Sequence, residues 1–314
     1  MGPVTVVEFE HYVGAHRRML AAASRVLLFY IGAALVIEIP FMLQLNRQAE
    51  TLSQVFQAST VQSIKLPKLN LIPNNKAFAA SLAEADNAKL SKIIDDFAQS
   101  HPGTFKVTTT DLNKPERSTS YGGDDAMVTA STYKMFAAYV ALGKVEQGTW
   151  SMDMQTGAGS LDYCLQRMIL VSDNNCGEAV SRKIGWVSLT KTINAVGFNN
   201  TSLDGSRDKQ LYTTTNDGAL LLSRLHGGKL LNAEHTNYLL DLMKRQTFRG
   251  GIPAGSKGSV VANKVGDGFD NVTHNDMAIV YGPKSTYSLV IMTDNSNTAA
   301  IKDLAQKIYD FYNL

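Results

Sequence analysis

The chain has 314 residues, of which 44% are hydrophobic and 18% charged, enough apolar material to bury a substantial core in one domain with attachments or in two. Its 30 basic and 28 acidic residues leave a formal charge of +2, with no basic stripe interleaved with aromatics, so nucleic acid is excluded as the expected partner. Two cysteines, Cys164 and Cys176, are too few for a disulfide scaffold, and no Cys-x-x-Cys or His-x-x-x-His spacing points to a metal. No cofactor is expected.

Residues 1–18 are polar and end in His16-Arg17-Arg18, and residues 19–45 are nearly all apolar. From Val26 to Leu45 the length suffices to cross a hydrocarbon core of about 30 Å at about 1.5 Å per residue. A transmembrane anchor is therefore expected; Glu38 keeps open the alternative of a buried core helix, while a cleaved signal segment is disfavoured because no clear small-x-small cleavage site follows. The arginines before the segment orient residues 1–18 to the cytoplasm and send residues 46 onward outside. Residues 46–75, rich in Gln, Ser, Thr and Asn with Pro67 and Pro73, read as a stalk, and 76–314 as the folded catalytic domain.

Within that domain Leu90, Ile93, Ile94 and Phe97 form the stripe of an amphipathic helix that stops at His101-Pro102-Gly103. Thr104 to Leu112 alternates as a strand, Asn113 to Glu116 turns, and Ser118 to Tyr121 is a second short strand. A helix follows Ser131, then further helices at Leu161–Val171, Cys176–Ile184, Val187–Val196, Asn216–Leu225 and Ala233–Lys244. Strand patterns return at Ser259–Val265, Met277–Tyr281 and Tyr287–Thr293, and Thr298–Tyr312 closes the chain as an amphipathic helix. The order predicts an α+β fold: one antiparallel sheet carrying helices, with a helical subdomain inserted.

Three short motifs fall in this frame. Ser131 and Lys134 lie three apart at a helix start, which puts a hydroxyl and an amine on one face near unpaired backbone N–H groups. Ser172-Asp173-Asn174 lies between two helices, and Lys264-Val265-Gly266 ends a strand. A Ser-x-x-Lys arises by chance on the order of once in a chain this long, whereas the ordered set is far more specific.

The set resembles that of the penicillin-recognising serine enzymes, the class A β-lactamases and penicillin-binding proteins, whose motifs are Ser-x-x-Lys, Ser-Asp-Asn and Lys-Thr-Gly. The similarity spans roughly residues 76–314, including the Gly251-Ile252-Pro253-Ala254-Gly255 approach to Lys264. It implies a β-lactamase/transpeptidase-like fold, a five-stranded antiparallel sheet carrying the terminal helices with the site between sheet and helical subdomain. It also implies a monomer that takes a β-lactam or a peptidoglycan peptide. Ser131 would form an acyl-enzyme, Lys134 would help deprotonate it, and Ser172 would relay a proton to the leaving nitrogen. Asn174, Lys264 and Gly266 would bind substrate, and the backbone N–H groups of Ser131 and Asp267 would form the oxyanion hole.

Two departures from the family pattern shape the expectations. Val265 stands where the family has Thr or Ser, removing a hydroxyl from the carboxylate site. The span Gly197 to Tyr212 reads as a short loop without a glutamate, its acids being Asp204 and Asp208, so water activation would fall to Asp208 or be slow. Cys164 and Cys176 flank Ser172 and, if the domain is extracytoplasmic, are either a disulfide steadying the Ser-Asp-Asn turn or two free thiols. His274-Asn275-Asp276 reads as a strand-edge polar cluster and Tyr133 as packing. The expected function is hydrolysis of the β-lactam amide; the alternatives are a DD-peptidase acting on D-Ala-D-Ala ends, and a non-catalytic wall-binding or regulatory domain.

Overall fold

The structure is a computed structural model that describes residues 75–268 and 272–314. The expected cytoplasmic segment, membrane anchor and stalk lie outside the described residues; among those described, no helix is long and apolar enough to cross a membrane. In chain order, helix α1 (Asn75–Ser100) leads into strands β1 (Thr104–Asp111), β2 (Ser118–Tyr121) and the short β3 (Met127–Val128). A 3-10 turn (Ala130–Thr132) opens α2 (Tyr133–Glu146), followed by α3 (Leu161–Leu170), α4 (Asn174–Ile184) and α5 (Trp186–Ala195). Then come β4 (Ser202–Arg207), β5 (Gln210–Thr213), α6 (Thr215–His226), α7 (Ala233–Lys244) and the single turn α8 (Ile252–Gly255). Strands β6 (Val260–Asp267), β7 (His274–Tyr281) and β8 (Thr286–Asp294) and helix α9 (Thr298–Asn313) complete the order.

Local sequence fixes most of these boundaries. Ser160, Asp173, Thr214, Asn232 and Asn297 each accept a backbone N–H two or three residues on, capping α3, α4, α6, α7 and α9 at about 1 kcal/mol apiece. Five strands form an antiparallel sheet in the order β2-β1-β8-β7-β6, so the two hairpins of the C-terminal half meet β1 at β8. Both faces of this sheet are covered. On one, Leu90, Ile94 and Phe97 of α1 and Ile301, Leu304 and Ile308 of α9 bury against Val107, Val261, Val280 and Ile291. On the other, Met277, Ile279, Val290 and Met292 belong to the cluster built by α2 to α7. The α+β architecture with a five-stranded sheet is the one the sequence led us to expect.

One element differs. The span expected as a loop folds into a hairpin, β4 and β5, which joins β3 in a second sheet of order β3-β5-β4. Its two-residue turn is Asp208-Lys209, both with positive φ (51° and 58°), as a primed hairpin turn requires. Such turns are ordinarily announced by Asn-Gly or Asp-Gly, and Asp-Lys carries no such announcement.

The two-sided core makes the terminal helices integral to the sheet. Leu304→Ala, at a fully buried position, should cost about 2–5 kcal/mol and lower the urea midpoint of the chain accordingly. An unchanged midpoint would mean that α9 is not part of the cooperative core.

Candidate active site

The edge strand β6 presses onto the turn that holds Ser131. A Cβ at Gly266 would lie 2.7 Å from the Thr129 carbonyl oxygen and 3.0 Å from the Thr132 nitrogen, so only glycine allows the strand to approach this backbone. From β7, Asn275 Nδ2 donates to the carbonyls of Val128 (2.9 Å) and Thr129 (3.2 Å), and its Oδ1 accepts from Thr293 N at 3.1 Å. Thr132 Oγ1 closes the turn on the Thr129 carbonyl at 2.7 Å. Ala130 is held at φ 41°, a left-handed conformation unfavourable to a residue with a Cβ, which presents the next residue, Ser131, at the head of α2.

Lys134, one turn into the helical run, is fully buried. Its Nζ donates to Ser131 Oγ at 2.8 Å, Asn174 Oδ1 at 2.7 Å and the Ser172 carbonyl at 2.6 Å, with Ser172 Oγ at 3.5 Å. Ser172 itself is held at φ 58° between α3 and α4. Asp173 caps α4 through Cys176 N at 2.9 Å, and a disulfide between Cys164 and Cys176 ties α3 to α4 with Cα atoms 4.7 Å apart. On the sheet side Lys264, also fully buried, donates to Ser172 Oγ at 2.8 Å and to the Val265 carbonyl at 2.5 Å. The Ser172 hydroxyl is therefore a bridge between two amines, one from a helix and one from a strand.

Electrostatics make this arrangement reactive. Burial pushes the Lys134 ammonium down to about 8, against the opposing pull of Asp173 and Glu178. Lys264 is pushed well below the usual lysine range, first by burial and then by the Lys134 cation, with Asp276 and Asp267 pulling the other way. A lysine that gives up its proton near neutral pH can accept the proton of a serine hydroxyl 2.8 Å away.

Ser131, Asn174 and Asp267 line one cavity of about 390 Å³, together with Tyr133, Glu178 and Leu211. Tyr133, expected only to pack, packs near the Trp186 ring and also forms part of this wall. The structure does not bring Asp208 here: it occupies the hairpin turn with its side chain 77% exposed, beside Arg207. Asp204 is held by Ser202 Oγ at 3.0 Å and Ser206 N at 2.9 Å, and it too is absent from the cavity wall.

Four residues outside the sequence-based set shape the site. Asn275 and Asp276, read as a strand-edge cluster, are in fact almost wholly buried, because β7 is an inner strand. Asp276 accepts from Ile252 N at 2.9 Å and Asn263 Nδ2 at 3.0 Å, and burial raises its carboxyl to about 6. Arg249 donates to Asn263 Oδ1 at 2.8 Å and the Val261 carbonyl at 2.9 Å, and lines an adjacent cavity of about 330 Å³ with Val265 and Asp267. Glu178 lies four residues beyond Asn174 on α4, a spacing that the sequence offered and that passed without notice.

A serine with its lysine, a bridging hydroxyl and a second lysine are set between a five-stranded sheet and a helical subdomain, an arrangement chemically suited to acyl transfer, on a β-lactamase/transpeptidase-like fold. The model of the beta-lactamase enzyme family matches residues 89–312. PBP-A is 22% identical over 71% of this chain and 95% of its own, with a TM-score of 0.63. A beta-lactamase from Chitinophaga pinensis is 19% identical over 72% of this chain and 100% of its own (TM-score 0.64). The ancestral GNCA class A beta-lactamase is 22% identical over 70% and 99%, with a TM-score of 0.65. Among curated proteins none matches the chain. The chain belongs to the beta-lactamase enzyme family, and its fold is that of the class A enzymes and PBP-A.

Two outcomes follow from this geometry. If neutral Lys134 is the base, labelling of Ser131 by a fluorescent penicillin should accelerate about tenfold per pH unit up to about pH 8 and level off above it, since only the deprotonated amine accepts. A flat second-order rate between pH 6 and 9 would remove Lys134 from that role. Gly266→Ala should slow labelling at least about tenfold while leaving the thermal transition cooperative, because the added methyl displaces the Ser131 turn rather than the core. Labelling at the native rate would show that β6 does not position the serine.

Proposed function

We propose that this protein is a serine hydrolase that opens the amide bond of β-lactams through an acyl-enzyme at Ser131. The observation that carries this reading is the 2.8 Å contact from buried Lys134 Nζ to the Oγ of Ser131, which itself lines a cavity of about 390 Å³. In the proposed reaction Lys134 takes the Ser131 proton as Oγ bonds to the carbonyl carbon. The backbone N–H groups of Ser131 and Asp267 receive the developing oxyanion, single donors of this kind being worth roughly 10²- to 10³-fold. The C–N bond then breaks, and the Ser172 hydroxyl, 3.5 Å from Lys134 Nζ and 2.8 Å from Lys264 Nζ, passes its proton to the departing nitrogen while taking from Lys134 the proton that came from Ser131.

Asn174, Lys264 and Gly266 are assigned to substrate binding. Lys264 offers the substrate carboxylate a hydrogen-bond donor, and Val265 offers it no hydroxyl, a loss of about 1.5 to 3 kcal/mol of binding. Arg249, beside Val265 in the adjoining cavity, is suited to replace part of that attraction. The disulfide supports an extracytoplasmic location, and with it the assignment of residues 19–45 as an anchor.

A second reading, a DD-peptidase acting on D-Ala-D-Ala ends, draws support from the 197–212 span, whose two acids line no part of the cavity. A non-catalytic domain is the poorest fit, because Ser131, Lys134, Ser172, Asn174 and Lys264 form one continuous hydrogen-bonded chain.

The test is intact mass of the full chain during incubation with a penicillin, beside Ser131→Ala. A transient adduct with released penicilloate is the expected result. A stable adduct favours the peptidase, and the absence of both adduct and product at high drug concentration overturns both enzyme readings.

A further inference from the structure

The acyl-enzyme proposed above needs a base to activate water, and neither acid of the 197–212 span lines the cavity. The cavity wall offers two carboxylates instead, Glu178 and Asp267. Asp267 belongs to the strand end assigned to the oxyanion, and its carboxylate is paired with His274 at 2.8 Å. Glu178 comes from the opposite wall, on α4.

Its placement is fixed by the helix. Four residues separate it from Asn174, so the two share one face of α4, and Asn174 already touches Lys134 at 2.7 Å. Between them Gly177 lets the helix lie against the nucleophile's base: a Cβ there would fall 2.5 Å from Lys134 Cε and 2.9 Å from the Tyr133 hydroxyl. Arg182 donates to one oxygen, Oε2, and Oε1 has no donor among the described residues. The side chain is 48% exposed, which admits water beside it.

We infer that Glu178 positions and deprotonates the water that releases the acyl group from Ser131. The inference rests on the acyl-enzyme reading. One water proton passes to the Glu178 carboxylate as the water oxygen bonds to the ester carbon. The tetrahedral intermediate then collapses, the bond from carbon to Ser131 Oγ breaks, and Oγ recovers a proton delivered from Glu178. The products are the free acid and the serine hydroxyl, with no other reactant consumed. This assigns the hydrolytic step to a residue of α4, in place of an acid in the 197–212 span.

The experiment separates the two half-reactions. Full-length wild type, Glu178→Gln and Arg182→Ala are mixed with benzylpenicillin, quenched over time and weighed intact. Glu178→Gln should acylate within about threefold of the wild-type rate while its adduct persists at least about 100-fold longer, the range expected for loss of a positioned general base. Arg182→Ala should change the adduct lifetime by less than about threefold, since it removes the ion pair and keeps the base. The inference is overturned if the Glu178→Gln adduct decays as fast as wild type, or if Arg182→Ala prolongs it equally, which would assign the effect to the ion pair. A wild-type adduct that itself lasts for hours overturns it while leaving acylation at Ser131 intact. Absence of adduct and product from every protein overturns it together with the acyl-enzyme reading.

Discussion

Two lysines buried on either side of one serine hydroxyl are the constraint around which this domain is arranged. Lys134 and Lys264 are both fully buried, and they hydrogen-bond hydroxyls, carbonyls and an amide rather than a carboxylate. Burying an ammonium group without a carboxylate partner is unfavourable, and the molecule relieves the cost by lowering the affinity of each amine for its proton. The same relief supplies the chemistry, since an amine that sheds its proton near neutral pH is a base. The two cations also act on each other, so neither amine can be changed without altering the other's charge.

The surrounding structure holds this unfavourable arrangement in place. Ala130 and Ser172 sit at positive φ, each at a cost of order 1–3 kcal/mol, and both immediately precede or form part of the reacting set. Such backbone persists only when its neighbours leave no alternative. Around Ala130 those neighbours are Gly266 of β6 and Asn275 of β7, which clamp Thr129 from two adjacent strands. Around Ser172 they are the Asp173 cap and the disulfide between α3 and α4. The sheet, filled on both faces, absorbs what the site costs.

Much of this was readable from residue order, and the unread parts share a cause. Helix and strand periodicity located α1, β1, β2 and the three C-terminal strands because each buries one stripe or alternate residues. The Ser131, Ser172 and Lys264 motifs were legible because each keeps its spacing on a single element. The hairpin was not, since its turn uses Asp208-Lys209 and its strands carry few apolar residues. Asn275 and Asp276 read as polar and therefore as exposed, whereas their burial depends on β7 lying inside the sheet, a fact of strand order that no local pattern encodes. Glu178 belongs to no three-residue motif, and its place beside the serine depends on α4 packing against α2, which the spacing from Asn174 does not by itself encode.

The hairpin has a consequence for the site beyond its missing acid. Thr129, which leads into the Ser131 turn, donates its backbone N–H to the Leu211 carbonyl at 2.8 Å, and Met127 and Val128 pair with Thr213 and Tyr212. Leu211 and Gln210 in turn form part of the cavity wall. The wall that a substrate's side chain would meet and the turn that presents the nucleophile are thus two rows of one small sheet. In such an arrangement a shift of β5 moves Ser131 as well as the wall, so in the proposed reaction selectivity among substrates and the rate of acylation would be coupled through backbone hydrogen bonds. Among the described residues the opposite wall, on α4, is joined to the serine through side chains, Asn174 to Lys134 to Ser131, rather than by backbone pairing. There the disulfide and the Asp173 cap hold Asn174 and Glu178 to the helical subdomain, so the two walls that meet at Ser131 are anchored to different parts of the fold.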